Sequence, residues 1–209
     1  MLRILIADDH EVVRRGLIHI LKDGFPLALI DEATDTPTLV SKCINASWDI
    51  IISDLAMPGG GGLDALRQIR EQAIVVPVLI ISLYPEEQYA LRVLKAGAAG
   101  YLNKSVAAEE LVNAMKRVLS GRRYITTEVA NRLSSSAGWA SEWLPHELLN
   151  DKEFNVLKLM ARGYSREAIA KELSLDDGVF NSCRTGILSK LNRKDDAELI
   201  AYAKTNNLT

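Results

Sequence analysis

Cysteine is scarce in this chain of 209 residues: Cys43 and Cys183 are the only two, and they lie far apart. That excludes a Cys-x-x-Cys metal or redox motif and fits two reduced structural thiols in a cytosolic protein. Long apolar runs are also missing. Stretches such as "AIVVPVLIISL" fall well short of the roughly 20 residues a membrane helix needs, and this one contains a proline. The first apolar run, "ILIA", is too short for a signal-peptide core and ends in Asp8 and Asp9. A soluble, cytoplasmic protein is expected. No excess of one charge exists either. The formal net charge of −2 excludes a uniformly basic coat for nucleic acid, though it leaves room for a local basic face. The three histidines, His10, His19 and His146, form no nucleophile–base pair for acyl transfer.

What is present is an ordinary globular composition, 48% hydrophobic and 25% charged, long enough for one large domain or two small ones. The first 120 or so residues alternate between two textures. "RILIA", "LALIDE", "DIIIS", "VVPVLIIS" and "AGYLN" are short, β-branched and read as strands buried on both faces. Between them "HEVVRRGLIHILKD", "PTLVSKCINA", "GLDALRQIREQ", "PEEQYALRVLKAG" and "VAAEELVNAMKRVLSG" have helical spacing. Five such repeats predict an α/β domain with a parallel sheet, helices on both faces and a flavodoxin-like strand order. The rhythm breaks at "SSSAGWASEWLP", which reads as a linker, with Trp139 and Trp143 expected to dock it on a domain or to mark a partner contact. From Leu148 the pattern is helical throughout, with segments near 151–162, 165–172, 177–191 and 195–205. The expected division is 1–122, a linker over 123–147, and a small all-α domain over 148–209.

Asp8 and Asp9 directly follow the first strand and Asp54 ends the third, while Ser82 ends the fourth and Lys104 follows the fifth. In a parallel sheet these ends converge on one edge, so three carboxylates, a hydroxyl and an ammonium should share a pocket. Clustered carboxylates repel one another unless a cation sits among them. Hard oxygen ligands from few residues suit Mg²⁺, which keeps waters and open positions for phosphate. Lys104 and Ser82 could then hold the remaining oxygens of a phosphoryl group on Asp54. Aspartyl-phosphate hydrolases of the dehalogenase type need a second acid two residues after the nucleophile, and that position is Ala56. No enzyme activity is expected.

"ILIADDH", "DIIISDLAMPGGGGLDAL", "VPVLIIS" and "GAAGYLNKS" together resemble the receiver domain of bacterial response regulators over essentially all of residues 1–120. The resemblance implies that Asp54 accepts phosphate from a histidine kinase, with Asp8, Asp9 and the Ala56 carbonyl helping Asp54 bind Mg²⁺. It also implies that Ser82 and Tyr101 form a switch pair that alters the face made by the fourth helix, fifth strand and fifth helix. Two positions depart from the family pattern. "GGGG" at 59–62 is expected to make the loop beside Asp54 unusually mobile. Leu83 is bulkier than the residue often found there and is expected to slow phosphoryl entry or hydrolysis.

Residues 148–209 resemble the LuxR-type (NarL/FixJ-class) helix-turn-helix domain, with Leu157, Met160, Ile169, Leu173, Ile187, Leu188 and Leu191 as its core. The resemblance implies that residues 177–191 enter the DNA major groove and that the protein dimerises on activation, on two half-sites. Asp176 is placed to cap that helix. Phe180, Ile187, Leu188 and Leu191 define its buried stripe, with Cys183 at the margin. The opposite face, Gly178, Asn181, Ser182, Thr185, Gly186 and Ser189, carries no charge. Arg184 lies near the buried edge and would have to snorkel to a phosphate. One subgroup of the family reads "TVSTYRTRIL" here, so Val179, Cys183 and Gly186 stand for Thr, Tyr and Arg. Asn181 suits adenine, and Ser182 and Thr185 suit base edges or a thymine methyl. Arg166, Lys171, Lys190, Arg193 and Lys194 are candidate phosphate contacts. Ten basic against nine acidic residues in 148–209 leave a net of +1, a weak electrostatic footprint. A phosphorylation-controlled protein-interaction module, with a helix-turn-helix that no longer reads DNA, is the alternative.

Overall fold

The β-branched runs pair as five parallel strands: β1 (Arg3–Ala7), β2 (Leu29–Ala33), β3 (Ile50–Asp54), β4 (Val78–Ser82) and β5 (Gly100–Asn103). The computed structural model describes residues 1–105, 108–127, 129–131 and 144–208. Trp139 and Trp143 lie outside them. The strands run in the order β2-β1-β3-β4-β5, the flavodoxin-like arrangement expected. Between and after them lie α1 (Glu11–Gly24), α2 (Thr36–Asn45), α3 (Gly62–Glu71), α4 (Glu86–Lys95) and α5 (Ala108–Leu119). Ile4, Ile6, Ile50, Ile52, Leu79 and Ile81 pack with Leu21 of α1 and Leu111 and Met115 of α5. Their neighbours Leu5, Ile51 and Ile80 are equally buried, so the central strands are covered on both faces.

The second strand departs from that expectation. Leu29, Asp31 and Glu32 of β2 are exposed, because β2 is a sheet edge. Lys42 pairs with Asp31 at 2.7 Å and Arg14 with Glu32 at 2.9 Å. Charged side chains on an edge discourage pairing with another chain's strand.

The loop after β3 is also tighter than its composition suggested. Gly59, Gly60 and Gly61 adopt φ of +86°, +131° and +88°, conformations that glycine alone enters without strain. Thr36 Oγ1 donates to the Gly61 carbonyl at 3.1 Å and accepts from its amide at 3.0 Å. The Thr36 amide donates to Pro58 O (2.9 Å) and the Gly62 amide to Leu55 O (2.8 Å). A Cβ on Gly62 would lie 2.2 Å from the Asp54 carbonyl oxygen. These glycines let the chain turn close against the Asp54 backbone, and the loop is anchored rather than loose.

The chain divides into two compact units, Met1–Ser141 and Glu142–Thr209. Residues 124–126, read above as linker, belong to the first. The Tyr124 amide donates to Ala99 O at 2.8 Å, its hydroxyl to Glu110, and Thr126 Oγ1 to Glu86 at 2.9 Å. The second unit opens earlier than Leu148, with a 3-10 turn at Pro145–Leu148 whose His146 Nδ1 sits 3.0 Å from the Tyr202 hydroxyl. Four helices follow: α6 (Asp151–Ala161), α7 (Arg166–Glu172), α8 (Asp177–Leu191) and α9 (Asp196–Thr205). Asn150, Ser165, Asp176 and Asp195 each cap one by accepting an amide of the first turn. Phe154, Leu157, Met160, Ile169, Phe180, Ile187, Leu191 and Leu199 form the buried interior, with Leu173 and Leu188 only half-buried at its margin.

Candidate functional site

Parallel strands deliver their carboxyl ends to one edge, and the expected side chains meet there. Lys104 Nζ donates to Asp8 Oδ2 at 2.6 Å and lies 2.8 Å from Asp54 Oδ2. Asp8 is fully buried and Asp54 almost so. Ligand oxygens of Asp8, Asp9 and Asp54, with a nitrogen of His10, all lie within 4.8 Å of one another. Burial pushes the Asp54 carboxyl up, and the nearby Asp8 charge adds to this. Lys104 and the Ala56 amide pull the other way. Burial also works against the Lys104 charge, but its bonds to Asp54 and Asp8 outweigh that and hold its pKa raised. One ammonium thus compensates two desolvated carboxylates, while Asp9 remains partly exposed beside His10 Nδ1 at 2.9 Å. The donor set, three carboxylates and the nearby backbone of Ala56, is hard and oxygen-rich and fits Mg²⁺.

Ser82 is buried at the end of β4, where its Oγ accepts the Tyr84 amide at 3.2 Å. The Tyr101 ring is buried, with its hydroxyl donating to the Tyr84 carbonyl at 2.8 Å. Tyr84 stacks on Tyr89 at 4.8 Å between ring centroids. Both members of the expected switch pair therefore engage the backbone of the same residue, Tyr84. Leu83 points outward, 75% exposed.

In the second unit Asp176 caps α8 as expected, accepting the Val179 amide at 2.8 Å. The buried stripe is Phe180, Cys183, Ile187 and Leu191. Cys183 lies within it rather than at its margin, with its thiol pushed up by burial, and Leu188 takes the margin. This rotation of the stripe corrects the position of Gly186, which faces α6 instead of the exposed side. A Cβ there would stand 2.3 Å from Glu153 Oε1. Buried Glu153 closes the cap of α6 with Asn150 and accepts Lys190 Nζ at 2.7 Å. Arg184 Nε donates to Asp196 at 2.6 Å. Arg166 pairs with Asp177 at 3.0 Å, and Arg193 lies over the Tyr202 ring at 5.2 Å. Asn181, Ser182, Thr185, Lys171 and Lys194 are exposed.

Sequence reasoning missed three residues that hold these sites. Arg14 is buried and donates to the Asp8 carbonyl at 2.8 Å. Thr36 pins the glycine loop, and Glu153 joins α6 to α8. Of the three, Arg14 left a readable signal: a guanidinium one helical turn past the "DDH" strand end.

The family model for the response regulator receiver domain matches residues 4–116, and that for bacterial regulatory proteins of the luxR family matches residues 147–203. Response regulator UvrY of Escherichia coli (strain K12) is 33% identical over 209 residues, covering 100% of this chain and 96% of UvrY. Oxygen regulatory protein NreC of Staphylococcus carnosus (strain TM300) is 34% identical over 214 residues, covering 99% of each. The crystal structure of a LuxR-family two-component response regulator from Aurantimonas sp. SI85-9A1 shares 33% identity at a TM-score of 0.58, covering 63% of this chain and 94% of its own. Both domain matches and two full-length relatives agree with the folds of the two units: the chain belongs to the response regulators that join a receiver domain to a luxR-family regulatory domain.

Proposed function

We propose that this protein is a phosphorylation-controlled transcription regulator in which Asp54 takes a phosphoryl group from a sensor histidine kinase and the C-terminal unit binds DNA. The observation that carries the input is the Lys104 bridge between two buried carboxylates, Asp8 and Asp54. Asp54 Oδ attacks phosphorus, the P–N bond of the donor phosphohistidine breaks, and an acyl phosphate forms on Asp54. Lys104 then turns from the carboxylate to a phosphoryl oxygen, and Ser82 Oγ donates to another. Asp8 and Asp9, with Asp54 and the Ala56 carbonyl, would hold Mg²⁺, which when bound supplies charge neutralisation for the phosphoryl oxygens. Movement of Ser82 gives up the Tyr84 amide, and Tyr101 repositions with the loop that both residues hold.

The output follows from α7 and α8, a scaffold helix and a reading helix in helix-turn-helix order, with Asn181, Ser182 and Thr185 facing out. Lys171, Arg193 and Lys194 supply phosphate contacts, and Arg184 and Lys190 can join only by leaving Asp196 and Glu153. Activation pairs two protomers on two half-sites.

Incubation with Mg²⁺ and acetyl phosphate tests the input. The intact protein should gain one phosphoryl mass, which Asp54→Asn loses. Labelling undiminished in that variant would place the acceptor elsewhere. Anisotropy with promoter-length duplexes over a salt series tests the output, and an activated protein that binds no duplex would sink it in favour of a protein-interaction module.

A further inference from the structure

The base-reading stripe of α8 has been stripped of charge in two steps, one in the sequence and one by the fold. Asn181, Ser182, Thr185 and Ser189 are its exposed residues, and among the described residues none of their side chains has a hydrogen-bond partner. The cations that could flank them are drawn away. Arg184 is held by Asp196 of α9 at 2.6 Å, and Lys190 by Glu153 of α6 at 2.7 Å. Gly186 carries no side chain and turns towards α6, where a Cβ would stand 2.3 Å from Glu153 Oε1. Arg166 at the start of α7 is paired with Asp177 at 3.0 Å.

Guanine is read in the major groove chiefly by Arg or Lys, which donate to its O6 and N7. Asparagine has one amide donor and one carbonyl acceptor side by side, which match the N7 acceptor and N6 donor of adenine. A threonine methyl packs on the C5 methyl of thymine. Resting on the DNA-binding reading above, we infer that the ligand of α8 is a half-site centred on A·T pairs, with Asn181 reading adenine and Thr185 packing against a thymine methyl. Ser182 and Ser189 accept either base and set register rather than identity.

The test is selection from a randomised duplex library by the full-length, beryllofluoride-loaded protein, followed by competition binding. Expected are A·T pairs at the central positions of each half-site. A duplex carrying G·C there should bind 10-fold or more weaker. Asn181→Ala, at an exposed position, should keep the fold by circular dichroism and erase most of that preference. Replacing central thymines by uracil removes only the methyl groups and should weaken binding of the wild type several-fold, but not of Thr185→Ser. Equal binding to both cores with a steep salt slope would overturn the inference and leave DNA binding standing, as would preference for G·C. A·T preference that survives in Asn181→Ala would assign it to duplex shape and overturn the residue assignment. Failure to bind any duplex would remove the DNA reading and this inference together.

Discussion

The two units handle charge in opposite ways. The receiver concentrates it, setting one ammonium against two buried carboxylates at a single point at the carboxyl ends of the strands. The helical unit disperses it, giving Arg184, Arg166 and Lys190 each an acidic partner of its own. Concentrated charge in a desolvated place stores a response, because the balance changes when a phosphoryl group or cation arrives. Exposed pairs such as Arg166–Asp177 and Arg184–Asp196 contribute little to stability. Their effect is on which groups remain available to a polyanion.

The sharpest way to break this contrast is Lys104→Ala. Removing one partner of a buried ion pair typically costs about 3–5 kcal/mol, here by leaving Asp8 and Asp54 uncompensated. Thermal melts should show a receiver that is strongly destabilised in chelator and regains more stability on adding Mg²⁺ than the wild type does. An unchanged melting temperature would mean the carboxylates are not desolvated as described.

Gly186→Ala probes the other unit. Alanine normally gains about 1 kcal/mol over glycine within a helix. Here its Cβ must displace Glu153, whose charge-assisted hydrogen bonds are worth about 1.5–3 kcal/mol each. The sign should reverse to a net loss of about 1 kcal/mol in urea denaturation. A stabilised variant would show that Glu153 yields at no cost.

A smaller effect is pH-dependent. Burial raises the Asp54 pKa in the folded receiver. Its contribution to stability is therefore full below the unfolded carboxylate range and is lost as pH rises through the raised folded value. Asp54→Asn has no such dependence. In metal-free buffer its melting temperature should gain on the wild type as pH rises from about 4 towards neutrality. A constant difference would contradict the raised value. The smallest effect is expected from Lys171→Ala, which should weaken DNA binding evenly across sequences and lower the salt slope by about 1 per protomer. A sequence-dependent loss would make Lys171 a base reader.

The receiver pocket was legible because strand ends in a parallel sheet converge, so Asp8, Asp9, Asp54 and Lys104 could be brought together from their positions alone. What was not legible depended on partners distant in the chain. Thr36 looks like any N-terminal helix residue until its hydroxyl meets Gly61. The exposure of β2 follows from its place at the sheet edge, which its own apolar composition does not reveal. Gly186 was misplaced because a helical wheel drawn through Leu188 instead of Cys183 turns α8 away from α6.

One carboxylate, Glu153, closes the start of α6, accepts Lys190 from the last turn of α8 and bears on Gly186 at that helix's middle. The consequence is a shared contact: fraying of α8 from its C-terminal half takes a cationic partner from the carboxylate that caps α6. Amide hydrogens in the first full turn of α6 and in the second half of α8 should then exchange with solvent through one common opening event, with α7 exchanging through separate and more frequent ones.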